Sequence, residues 1–130
     1  METNMIWANL GVDNLERTQR FYTALGFRPN TDRHSDKLRS FIFGENNFVI
    51  HFFLKNILVN AMKISAENVT TPDTVMFSLL AKSKEQVNEW ADRVRNTEGQ
   101  LVSEPESFGE GYYGFVFTDP DGNRFNVFCM

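Results

Sequence analysis

Cysteine is almost missing from this chain of 130 residues, and the single thiol, Cys129, excludes an internal disulfide framework. Set in an apolar run near the end, Cys129 reads as a small buried hydrophobe rather than a nucleophile. Clustered positive charge is also absent. Thirteen basic residues against 17 acidic ones leave a net charge of −4, with no basic block able to follow a phosphate backbone, so nucleic acid is not an expected partner. Apolar stretches are interrupted by Asn, His or Lys before they reach the roughly 18 residues of a membrane span. The opening residues lack the basic flank and apolar run of a secretory signal, so the expectation is a cytoplasmic protein with no membrane partner. Histidine is scarce as well, at two residues, which narrows any imidazole chemistry to His34 and His51.

Phenylalanine is abundant, at 13 residues, and it falls in short alternating runs that favour sheet faces over helix stripes. The order of these runs repeats. Asn4 to Val12 reads as a strand and leads into Asp13-Asn-Leu-Glu16, where Asp13 is expected to cap a helix and Glu16 to reach back. Leu15, Phe21, Tyr22 and Leu25 follow at near-helical spacing, and Gly26 stops the helix. A short strand near Phe27 to Pro29 and a polar loop from Asn30 to Asp36 come next. Leu38 to Phe43 and Phe48 to Leu54 then form a hairpin across Gly44-Glu-Asn-Asn47.

The second half has the same order: a strand from Thr74 to Ala81 and a helix capped by Ser83 with Gln86 as its partner. Val87, Trp90, Ala91 and Val94 lie on one face of that helix, before Gly99. A short strand near Gln100 to Ser103 precedes a closing pair, Tyr113 to Thr118 and Arg124 to Cys129, joined by Asp119-Pro-Asp-Gly122. Between the halves, residues 55–73 connect, with a short helix expected over Asn56 to Ile64 and a limit set by Pro72. The connector either covers a cavity mouth or simply joins the modules. The expected architecture is a single α+β domain over 1–130, built from a module over 1–54 and a module over 74–130. Each is βαβββ, and the two half-sheets enclose an open, barrel-like groove suited to a ligand.

The run from Asn9 to Phe27, Asn-Leu-Gly-Val-Asp-Asn-Leu-Glu-Arg-Thr-Gln-Arg-Phe-Tyr-Thr-Ala-Leu-Gly-Phe, resembles the opening of the vicinal oxygen chelate superfamily, which includes glyoxalase I, extradiol dioxygenases and bleomycin-resistance proteins. Phe117 to Phe128, Phe-Thr-Asp-Pro-Asp-Gly-Asn-Arg-Phe-Asn-Val-Phe, resembles its closing motif, and the order of elements between them fits nearly the whole chain. In metal-dependent members the resemblance implies one ligand from the first and one from the last strand of each module, which here fall at Trp7, His51, Met76 and Asn126, within a residue or two at Trp7 and Met76. Trp7 cannot coordinate, Met76 offers a soft thioether, and Asn126 a neutral carbonyl, so His51 alone is a good donor. No metal or other cofactor is therefore expected.

Asn9 points to the same side as Trp7 and places an amide there, with Ser78 as its approximate counterpart in the second half. His51 stands as a hydrogen-bonding groove histidine, a structural histidine or a lone metal ligand. Phe108 and Tyr112, in the glycine-rich loop Glu104 to Gly114, either wall the ligand or close the module's edge. His34, in Asp32-Arg-His-Ser-Asp36, reads as part of a solvated loop, Asp119 and Asp121 as turn formers, and Glu16 and Glu85 as helix-start acids. The function these residues favour is metal-free binding of a small, partly aromatic or amphiphilic molecule, by a homodimer, through Trp7, Asn9, His51, Met76, Phe108, Tyr112 and Asn126. The alternatives are a metal-dependent lyase, isomerase or dioxygenase, with donors such as Glu45, His34 or a partner chain completing the site, and a non-catalytic scaffold whose groove is filled by its own rings.

Overall fold

Two compact α+β units lie on either side of residues 66–74, and the computed structural model describes residues 1–65 and 75–130. In the first, β1 (Trp7–Val12) runs into α1 (Leu15–Ala24), then β2 (Arg28–Pro29), a 3-10 turn at Thr31–Arg33, β3 (Leu38–Phe43) and β4 (Phe48–Leu54). Sheet order is β1-β4-β3-β2, with β1 parallel to β4 and the other pairs antiparallel. A crossover helix is what lets β1 lie parallel beside β4. α1 presses Phe21, Tyr22 and Leu15 onto one face of the sheet, where the Tyr22 ring stacks on Phe52 at 4.3 Å and tilts against Phe41 at 5.5 Å. Ile50, Phe52, Phe41 and Phe43 alternate toward that helix, which is the period-2 pattern that a half-covered sheet requires. Trp7, Asn9, His51 and Ser40 alternate to the other face.

The helix start differs from the sequence expectation. Asn14, not Asp13, is the N-cap: its Oδ1 accepts from the Arg17 amide at 2.9 Å, while the Asp13 carboxylate pairs with Lys55 Nζ at 3.3 Å. Asp and Asn are equally good caps, so two adjacent candidates leave the choice to the helix phase, and Leu15 must begin the helix for its side chain to reach the core. Gly26, at φ 92, ends the helix as expected. α2 (Lys55–Met62) follows β4 directly and stops at Lys63 in the left-handed region, close to the expected helix. Pro72 lies outside the described residues.

The second unit contains β5 (Met76–Leu80), α3 (Lys84–Arg95), β6 (Gln100–Leu101), β7 (Glu106–Phe108), β8 (Tyr112–Thr118) and β9 (Arg124–Cys129). Its order is β5-β9-β8-β6, again with the first strand parallel to the last, so the βαβββ plan occurs twice in tandem. β7 is an addition. It pairs antiparallel with β8 inside the segment read as a loop, using backbone bonds that its sequence, Glu-Ser-Phe, does not announce by alternation. Thr74, expected to begin β5, lies outside the described residues. Ser83 caps α3 by accepting from Gln86 N at 3.1 Å, and Gln86 Oε1 accepts in return from Lys82 N at 2.7 Å, one residue before the cap. Val87, Ala91 and Val94 are buried together with Phe115, Phe117, Phe125 and Val127, and Phe117 stacks on Phe125 at 5.3 Å. Cys129 is a buried free thiol. Among the described residues no helix is long and apolar enough to cross a membrane.

Candidate functional site

Strand register places the polar residues of the first unit in one row. Parallel pairing sets Asn9 beside His51, antiparallel pairing sets Ser40 on the other side of His51, and Asn30 continues the β2–β3 pairing next to Ser40 through Asn30 N to Ser40 O at 2.8 Å. Trp7 precedes Asn9 by two residues on the same face, and its ring meets the His51 imidazole edge-on at 6.4 Å and 66°. Trp7 is 49% exposed, so about half of a large apolar surface remains available. Beside this row is a hollow of about 680 Å³, lined by Met5, Trp7, Val49, His51, Asn30 and the turn residues Asp32 and Arg33. None of its lining comes from α2.

Ser40 organises the polar side of the hollow. It is fully buried, and its hydroxyl accepts from Asn30 Nδ2 at 3.1 Å while lying 2.9 Å from His51 Nδ1. The hydroxyl is buried and must place its own proton, and of its two partners only His51 Nδ1 is able to take it, since an amide nitrogen does not accept; Nδ1 is therefore assigned as the acceptor. The proton of the neutral imidazole therefore sits on Nε2. His34 is fixed in the same place, with Nε2 donating to the Ser40 carbonyl at 3.0 Å, so the polar loop is tied to the strand rather than merely solvated.

Burial, and then the positive charge of Arg33, hold the His51 imidazole below its ordinary pKa. The folded state thus prefers neutral His51 and the unfolded chain takes up its proton first. Stability contributed by the neutral ring is complete above the ordinary value of about 6.5 and is lost as pH falls through the window between that value and the lower folded one. The charged residues that line the hollow with His51 are Arg33 and Asp32 of the turn. A His51→Gln variant is expected to lose less stability than the parent on moving from about pH 7.5 to 5, as read from urea midpoints at each pH. Equal losses in the two proteins would contradict the assignment.

In the second unit, register sets Ser78 beside Asn126, and Asn126 Nδ2 donates to Ser78 Oγ at 3.3 Å. Met76 pairs with Arg124 and is 48% exposed. Phe108 and Tyr112 stack at 5.7 Å on the β7–β8 hairpin, both exposed, with Phe128 6.1 Å from Tyr112. Tyr113 donates to Asn88 Oδ1 at 2.8 Å and lies under Lys84 Nζ. Asp119 is buried and accepts three bonds from the turn it closes, one from Asp121 N and two from Asn123.

Trp7, Asn9 and His51 thus fall together in the first unit, and Asn126 with Ser78 in the second. Ser40, Asn30, Asp32 and Arg33 were not singled out for this role by the sequence. Among the described residues, no three His, Cys, Asp or Glu side chains are grouped to hold a metal ion. Trp7, Met76 and Asn126 offer indole, thioether and amide groups, which do not fit a hard or borderline dication, and His51 Nδ1 is already engaged by Ser40.

The model of the Glyoxalase/Bleomycin resistance protein/Dioxygenase superfamily matches residues 4–127. A hypothetical protein from S. aureus is 31% identical, with a TM-score of 0.86 over 100% of this chain and 96% of that one. A glyoxalase-related enzyme from Fulvimarina pelagi, at 20% identity, superposes with a TM-score of 0.86 over 99% of this chain and 89% of that one. A lactoylglutathione lyase from Agrobacterium tumefaciens, also at 20% identity, has a TM-score of 0.71 over 98% and 94% of the two chains. Among curated proteins, Protein trichome birefringence-like 1 of Arabidopsis thaliana is 34% identical over 74 residues, a match that takes in 57% of this chain and only 13% of that protein's length.

Proposed function

This chain belongs to the Glyoxalase/Bleomycin resistance protein/Dioxygenase superfamily, and from that premise we propose that it binds a small, partly aromatic or amphiphilic molecule without a metal, as a cytoplasmic homodimer. The observation that carries the reading is the hollow of the first unit, whose volume of about 680 Å³ suits a small molecule and whose wall joins a half-exposed indole to a few polar groups. Met76 and Leu80, exposed on edge strand β5, are apolar surface that a dimer would cover. A metal-dependent lyase, isomerase or dioxygenase would need several hard donors, and the side chains at the equivalent positions do not fit such an ion.

Binding is tested by tryptophan fluorescence with a panel of neutral and charged naphthalene derivatives. Saturable quenching by at least one compound is expected, lost in Trp7→Phe while emission from Trp90 persists. No saturable quenching across the panel, or quenching that survives Trp7→Phe, would refute the proposed site.

A further inference from the structure

We propose that the hollow selects a planar aromatic carboxylate, its ring lying against Trp7 and its oxygens accepting from the His51 Nε2–H and the Arg33 guanidinium. The proposal rests on the reading of the hollow as a binding site and names its ligand class. Two independent features point to an anion with flat, paired acceptors.

The first is the tautomer. The relay from Asn30 Nδ2 through the Ser40 hydroxyl to His51 Nδ1 spends both hydrogens inside the buried row, so the ring offers the ligand a donor and no acceptor. Among the described residues, no hydrogen bond engages Nε2. The second is Arg33. Arg33 lines the same hollow and, among the described residues, has no ion-pair or hydrogen-bond partner for its side chain, although its charge is felt at His51. A guanidinium fork matches two coplanar oxygens, and a hydrogen bond to a charged group is stronger than one to a neutral carbonyl.

Asp32 sets the limit on charge. Asp32 lines the hollow too, so a phosphoryl dianion would bring more negative charge beside it than one guanidinium and one imidazole N–H can answer. A monoanion answers the single guanidinium one for one. The indole supplies the remaining requirement, a broad apolar face for a ring.

Isothermal titration near neutral pH with 2-naphthoate and with 2-naphthamide, its neutral counterpart of similar shape, tests the assignment. The acid is expected to bind about tenfold more tightly than the amide, consistent with a charge-assisted bond. Arg33→Gln, an exposed change on the turn, should remove most of that preference by weakening the acid far more than the amide. Asp32→Asn should tighten the acid about twofold, as expected for removing a solvent-exposed like charge. Equal binding of acid and amide overturns the carboxylate assignment while the hollow remains a binding site, whereas no binding of either compound at millimolar concentration removes both readings. A preference for the acid that survives Arg33→Gln places the carboxylate elsewhere and overturns the proposal. Imidazole nitrogen-15 spectra give an independent check: the neutral ring should carry its proton on Nε2, and a proton on Nδ1 contradicts the relay.

Discussion

Asp119→Ala is expected to lower the stability of the protein by about 3 to 5 kcal/mol, measured by urea unfolding near neutral pH. The Asp119 carboxylate is 2% exposed and holds the β8–β9 turn from inside: Oδ1 accepts from the amides of Asp121 and Asn123, both at 2.9 Å, and Oδ2 accepts from Asn123 Nδ2 at 2.8 Å. The backbone adds bonds from Asp119 N to Asn123 O and from Gly122 N to Asp119 O. Alanine would strip the side-chain acceptor from donors that include the buried Asn123, leaving groups that water cannot reach. That asymmetry makes the loss larger than the mean value of a hydrogen bond. Asp119→Asn should fall between parent and alanine variant, because it keeps an acceptor but turns an NH₂ toward the Asn123 NH₂. A loss under about 1 kcal/mol for alanine would mean that the turn is held by its backbone alone.

Gly114→Ala is expected to cost about 3 kcal/mol or more, for a reason unrelated to glycine's flexibility. Gly114 lies in the middle of β8 opposite Phe128, and an added Cβ would collide with the Val127 carbonyl oxygen and sit 2.9 Å from Phe128 Cα. Those are backbone atoms of a paired strand, so relief requires opening the β8–β9 ladder rather than turning a side chain. Gly122 is the informative contrast. A Cβ there meets nothing, and the cost of alanine comes only from its φ of 90, about 1 to 2 kcal/mol. Equal losses at the two positions, compared by chemical denaturation, would refute the close-approach explanation.

The contrast also shows what a sequence reveals. Gly122 follows Asp-Pro-Asp and its turn role is local, whereas the demand at Gly114 arises from a strand that arrives later in the chain. The doubled strand-helix-strand plan was legible because Phe and Leu alternate at sheet period and α1 carries its own stop at Gly26, whereas α3 ends at Arg95 with Asn96 as its cap, short of Gly99. The hairpin was legible too, since a turn at Gly44 to Asn47 sets Phe43 opposite Phe48 and, by counting back, Ser40 opposite His51. Ser40 was nonetheless missed, because a serine in an apolar strand gains meaning only when its cross-strand partner is considered. Asn30, Asp32 and Arg33 belong to a polar loop whose composition reads as solvated, and nothing periodic in it signals that the chain returns over the sheet. The displaced helix cap and the added strand β7 have the same origin: neighbouring candidates of equal propensity, or backbone pairing with no side-chain pattern, are decided by tertiary contacts.

If the hollow beside Trp7 and His51 binds its ligand without help from an ion, as proposed, titration of 2-naphthoate into protein held in excess EDTA, repeated after adding nickel, zinc or manganese, is the decisive experiment. The same affinity is predicted in every condition, with a dependence on Trp7. Binding abolished by EDTA, restored by one equivalent of a divalent ion and lost again in His51→Ala would contradict it.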